Sequence, residues 1–203
     1  MLRKWLLKFA PKVLYRPCLT WWLTWSHIYR ELVQGEYDAV IPIKPLAEVV
    51  ESMKLLTWTA DGPTELWDAC GSPGWVQHCL NYLRNGYKQP EGSLDCDDFA
   101  VWAANSLSKE HNPRLLSVVW VTKDNKIAGH VVCLCNSAKR DSVFHIGNWG
   151  TSRLFDDLHD ACTDMVTRAQ GEKLIGWCIL DKNLKLHKYG TELPEAGYDG
   201  SLR

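Results

Sequence analysis

Apolar positions recur with two different periods along this chain, and the change falls near residue 113. Before it the spacing is helical. Leu2, Trp5, Leu6, Phe9 and Val13 form one stripe, with Arg3, Lys4, Lys8 and Lys12 off it. That predicts an amphipathic basic helix over 2–13, ended at Pro11 or re-entered after it. Pro42 and Pro45 precede a short helical stretch from Leu46 to Leu56. Asp61-Gly62-Pro63 and Gly71-Ser72-Pro73-Gly74 are turn signals. Residues 75–85 read as a helix stopped by Gly86. A fourth helix opens at Ser93 or Asp95, either of which can cap it. Its apolar face runs through Phe99, Ala100, Ala103 and Leu107 to about Lys109, and Asn112-Pro113 closes it.

After Pro113 the period becomes two. Leu115–Thr122, Ala128–Cys135 and Ser142–Asn148 read as strands. Residues 153–169 return to helical spacing, with Gly171 as a stop. Leu174–Leu180 and Leu184–Lys188 then form a hairpin around Asp181-Lys182-Asn183. Helices first, then antiparallel strands with one inserted helix, is an α+β order rather than alternating βαβ.

Composition narrows the function classes. With 203 residues, 46% apolar and 23% charged, the chain is neither disordered nor fibrous. Its formal net charge of −1 is unevenly spread. Residues 1–30 carry Arg3, Lys4, Lys8, Lys12, Arg16 and Arg30 and no acid, a +6 head. The remainder is −7, which argues against nucleic acid as a partner of the body. An anionic membrane surface or a protein partner could be met only through residues 1–30. Thr20–Trp25 adds three tryptophans that suit either a core or an aromatic surface. The division expected is a basic, Trp-rich segment over 1–45 and one domain over 46–203. No cleavable leader and no 18-residue apolar run is apparent, so a cytoplasmic location with reduced thiols is the expectation.

Eight cysteines are present, none in a C-x-x-C pair. Cys133 and Cys135, His78-Cys79 and His159-x-x-Cys162 do not make the two close ligand pairs of a zinc site. Asp95, Asp97 and Asp98 are a hard-cation type of donor but too few to define a site. Neither metal nor cofactor is expected. One cysteine has a chemical setting. Cys96 falls at a helix start, where the helix dipole favours a thiolate. His130 lies in a later strand and can hold the thiol proton; Asn148 ends the next strand and can orient the imidazole. The flanking carboxylates oppose the thiolate.

Gly92-Ser93-Leu94-Asp95-Cys96-Asp97-Asp98-Phe99-Ala100, Gly129-His130-Val131-Val132 and Ile146-Gly147-Asn148-Trp149 together resemble the transglutaminase-like branch of the papain-like cysteine enzymes. The resemblance covers roughly residues 55–150. It departs in the displaced glycine of G-S-L-D-C and in Asn where most relatives have Asp. It implies a papain-like α+β fold, with N-terminal helices and the nucleophile helix packed on an antiparallel sheet. It also implies a cysteine peptidase or acyl-transferase acting on a protein or peptide substrate. Attack on peptide, isopeptide or Gln side-chain amide bonds would pass through a thioester, with Cys96 as nucleophile, His130 as base and acid, and Asn148 as orienting residue. A catalytically silent binding module of the same fold is the alternative. A further alternative is an NlpC-type cell-wall peptidase, in which His145 takes the third role; Asp97-Asp98 in place of Ser-Gly argues against it. Strand phase puts His130, Val132 and Leu134 on one face of their strand. It separates Asn148 from His145 on the next, so only one of those two can join His130. Gln77, Gln89, Trp67 and Trp75 are candidates for the second oxyanion donor.

Overall fold

The computed structural model describes residues 2–34, 37, 39–59, 70–92, 94–137 and 141–200, and in the first helix the side chains of residues 15–32. Ser93, Trp67 and the turn expected at Asp61-Gly62-Pro63 lie outside the described residues. The architecture is mixed α+β: a six-stranded antiparallel sheet with helices on both faces.

Helix α1 spans Leu2–Gln34 and does not end at Pro11. A proline inside a helix costs about 3 kcal/mol through a lost hydrogen bond and a ring clash. Packing against the body opposes that cost in the second half of α1. Tyr15 and Leu19 are buried in the main core. The Ser26 hydroxyl accepts from the Cys70 amide at 3.0 Å, and Arg30 Nε donates to the Gly71 carbonyl at 3.0 Å. Tyr15 reaches the sheet because residue 176 is Gly; a Cβ there would lie 2.7 Å from the Tyr15 ring. Trp21, by contrast, is 53% exposed.

Helix α2 is Leu46–Met53 and α3 is Pro73–Arg84, the latter capped by Ser72, whose hydroxyl accepts from the Gly74 amide at 3.2 Å. Helix α4, Cys96–Ser106, is shorter than its sequence pattern suggests. Leu107 turns extended, a single 3-10 turn covers Lys109–His111, and Asn112 takes a left-handed conformation at φ 43° before β1.

The strands are β1 Arg114–Thr122, β2 Ile127–Asn136, β3 Val143–Gly147, β4 Gly150–Thr151, β5 Gly171–Leu180 and β6 Leu186–Gly190. Their order across the sheet is β4-β3-β2-β1-β5-β6, all antiparallel. Helix α5, Leu158–Arg168, begins later than the periodicity suggests because Phe155 still pairs with Val143. Asp157 then caps it, accepting from the Asp160 amide at 3.0 Å. Gly171 is not a helix stop but the first residue of β5; Gln170, at φ 54°, makes the left-handed exit.

The two sheet faces bury different residues. Leu115, Val131, Cys133, Cys135, Phe144, Ile146, Cys178 and Leu180 pack with α4 and its neighbours. Leu116, Val118, Trp120, Val132, Leu134, Val143, Trp177 and Ile179 pack with α5 through Leu158, Ala161, Cys162 and Met165.

Candidate active site

Helix α4 starts where it does because Asp95 and Asp98 close a reciprocal capping box. Asp95 Oδ1 accepts from the Asp97 amide at 3.2 Å, and Asp98 Oδ2 accepts from the Asp95 amide at 3.3 Å. Cys96 is therefore the first helical residue, at the positive end of the helix dipole. It packs against the α4-side core and is half-buried. Cys18 is exposed, and the other six cysteines are buried.

His130 lies elsewhere. Residues 127–134 of β2 pair with β1 without interruption, so strict alternation holds and His130 sits directly opposite Val118. Val118, Val132 and Leu134 all belong to the α5-side core, so His130 faces α5. The surroundings of Gly147 agree: a Cβ at that position would lie 3.1 Å from Val132 Cγ1 and 3.7 Å from His130 Nε2. The His130 ring stacks on Trp149, with centroids 3.8 Å apart and planes inclined by 12°. Its Nε2 is buried without a hydrogen-bond partner among the described residues. Burial, with His145 as a smaller influence, pushes its pKa down to about 3, so the ring is neutral at pH 7.

His145 shares this face, opposite Leu134. It stacks on Phe155 at 5.6 Å and is 1% exposed. Its Nε2 is 3.7 Å from Asp164 Oδ2, and that oxygen is held at 2.6 Å by Arg168 Nε. Burial drives the His145 pKa down to about 4 although Asp164 pulls the other way. Asn148 opens the turn between β3 and β4. Being in the turn, it is not assigned to a face by strand alternation; its Oδ1 is buried without a partner among the described residues.

The expected triad is thus divided by the sheet. Cys96 packs on the α4 side, whereas His130 and His145 fall on the α5 side. An imidazole must come within about 3 Å of a thiol, directly or through one water, to hold its proton. Alternation fixes the side of His130, and no rotamer carries it through a packed sheet. Two of the oxyanion candidates are also committed. Gln89 exchanges bonds with the Thr57 amide and carbonyl at 2.8 and 3.0 Å. Gln77 accepts from Trp102 Nε1 at 3.1 Å and donates to Asn81 at 2.8 Å. Trp75 lies against Tyr37 and His78, and Trp67 lies outside the described residues.

Two features were missed in the sequence. Asp164 and Arg168 brace His145, and their i,i+4 spacing on a helical stretch was legible. Arg30 meets Cys70, donating to its sulfur at 3.1 Å across a 40-residue separation that no local pattern announces. Cys133 and Cys135 do share a face, with sulfurs 3.7 Å apart, in the core on the α4 side.

No protein-family model matches this chain. No curated protein matches it either.

Proposed function

We propose that the chain is a catalytically silent binding module of transglutaminase-like layout that docks on anionic membrane surfaces through α1. The observation that carries the first half is the β2 register, with His130 opposite Val118 and facing α5 while Cys96 opens α4 on the other side. An imidazole on the far side of the sheet cannot take the Cys96 proton, so the Cys96–His130 pair that thiol catalysis would need is not formed.

The second half rests on α1. Its 33 residues extend about 50 Å at 1.5 Å per residue. It carries five cations from Arg3 to Arg16 and no acid before Glu31. On its surface Trp21 stands exposed beside an open groove of about 480 Å³ lined by Arg16, Pro17, Thr20, Trp21 and Thr24. Tryptophan beside cations is the composition of helices that lie in the headgroup layer. A body of charge −7 would be repelled by the same lipids, which orients the molecule with α1 against them. None of the described helices is long and apolar enough to cross a membrane, so the reading is of a helix lying on the surface.

A thiol hydrolase is the second reading, favoured by the position of the half-buried Cys96 at a capped helix start. One experiment separates the two. The full chain is sedimented with phosphatidylcholine vesicles with and without phosphatidylserine, and separately titrated with iodoacetamide. The proposal expects binding that requires phosphatidylserine and weakens with salt, and Cys96 alkylation no faster than that of exposed Cys18. Equal binding to neutral vesicles, or none to either, overturns the membrane reading. Selective alkylation of Cys96 overturns the silent one.

A further inference from the structure

The sequence suggested that Asp95, Asp97 and Asp98 were too few to hold an ion; the fold gives them a different setting. One carboxylate oxygen from each lies within 4.8 Å of the others. Three oxygens bound to one ion at 2.3–2.6 Å cannot be farther apart than about twice that length, so the cluster matches the span of a calcium shell. Magnesium, which dehydrates reluctantly and demands near-ideal octahedral geometry, suits a buried three-carboxylate cluster less well.

The second observation is the state of Asp97. Its side chain is 2% exposed, and neither carboxylate oxygen has a hydrogen-bond partner among the described residues. Asp95 and Asp98 differ. Asp95 Oδ1 receives the Asp97 amide, and the Asp98 oxygens receive the Gly71 amide at 2.9 Å and the Asp95 amide at 3.3 Å. The capping box thus holds two carboxylates fixed by backbone donors, with the third aimed into the space they share.

Charge sharpens the point. Leaving an ionised carboxylate buried and unpaired is among the costliest arrangements in a protein. The nearby guanidinium of Arg30 is engaged by the Cys70 and Gly71 carbonyls and the Cys70 sulfur. Two occupants can balance the cluster: a proton on Asp97, directed at Asp95, or a cation between the three.

We propose that Asp95, Asp97 and Asp98 form a calcium site at the N-terminus of α4, with water completing the shell. Three protein oxygens out of the six to eight that calcium takes make this a weak site, in the range of extracellular or millimolar-type modules. The ion would tie the start of α4 to Gly71 through Asp98, coupling calcium to the junction between α1, the segment at Cys70 and the sheet.

The test is the thermal midpoint of the full chain in CaCl2 from 0 to 10 mM, at constant ionic strength held with KCl, for wild type and Asp97→Asn. Terbium luminescence, excited through tryptophan and competed with calcium, reports binding without requiring a folded variant. The expected result is a saturable rise of several degrees in wild type, absent in Asp97→Asn, and terbium emission that calcium displaces. An unchanged wild-type midpoint with no displaceable terbium signal overturns the proposal. So does an equal calcium response in Asp97→Asn.

Discussion

Two neutral histidines buried on the α5 face should make this protein acid-sensitive, and one substitution isolates the effect. In the unfolded chain a histidine titrates near 6.5. In the fold His130 is held near 3 and His145 near 4. Both folded values lie below the unfolded one, so as pH falls through 6.5 the unfolded state takes up protons that the folded state refuses. Stability is therefore full above about pH 6.5 and declines until pH reaches the folded values. Between pH 7 and pH 5 each histidine costs about 2 kcal/mol, and the pair about 4 kcal/mol. Other groups also take up protons as the pH falls, so the absolute slope is not diagnostic. The comparison of wild type with His130→Phe is, because every other group appears in both. Phe keeps a ring against Trp149 and has no proton to gain. Urea unfolding at pH 7, 6 and 5 should show the variant losing about 2 kcal/mol less than wild type over that range, whatever its stability at pH 7. Parallel pH profiles for the two proteins would refute the placement of His130 in a dry, neutral site.

Two further outcomes follow from packing. Asp98→Ala removes half of the capping box and strands the buried Gly71 amide, and should lower stability by about 1–3 kcal/mol in urea unfolding. Gly176→Ala sets a methyl 2.7 Å from the Tyr15 ring and should cost about 1–3 kcal/mol; limited proteolysis should then cut α1 earlier than in wild type.

The strands of this fold were readable because Leu115–Thr122 and Ala128–Cys135 are rich in β-branched and large apolar residues between polar turns. The side of the sheet to which each residue points was not. Both faces of β1 and β2 are covered, so their sequences run apolar almost without alternation, and the pattern lacks the polar face that would mark solvent. His130 thus carries no sign of whether α4 or α5 lies over it. The grouping of Cys96 with His130 assumed a layer assignment that only tertiary structure supplies. Asp95 and Asp98, by contrast, were legible as helix-start residues, since capping is local chemistry. The course of α1 past Pro11 was not, because contacts such as Ser26 with Cys70 come from 44 residues away and override a local break signal. Asp97 shows the same limit: its neighbours are written in the sequence, but its burial is not.

The strand order also decides where this sheet can meet another. Its long strands, β1, β2 and β5, are interior, and the two edges are β4 and β6, of two and five residues. β4 offers almost no backbone to a passing strand, and β6 presents His187 and Lys188 among exposed residues. Short, charged edges are how sheets resist growing into one another. Strand addition between copies should therefore require prior unfolding of β4 or β6, which makes the acid-induced loss of stability on the α5 face the natural gateway to aggregation.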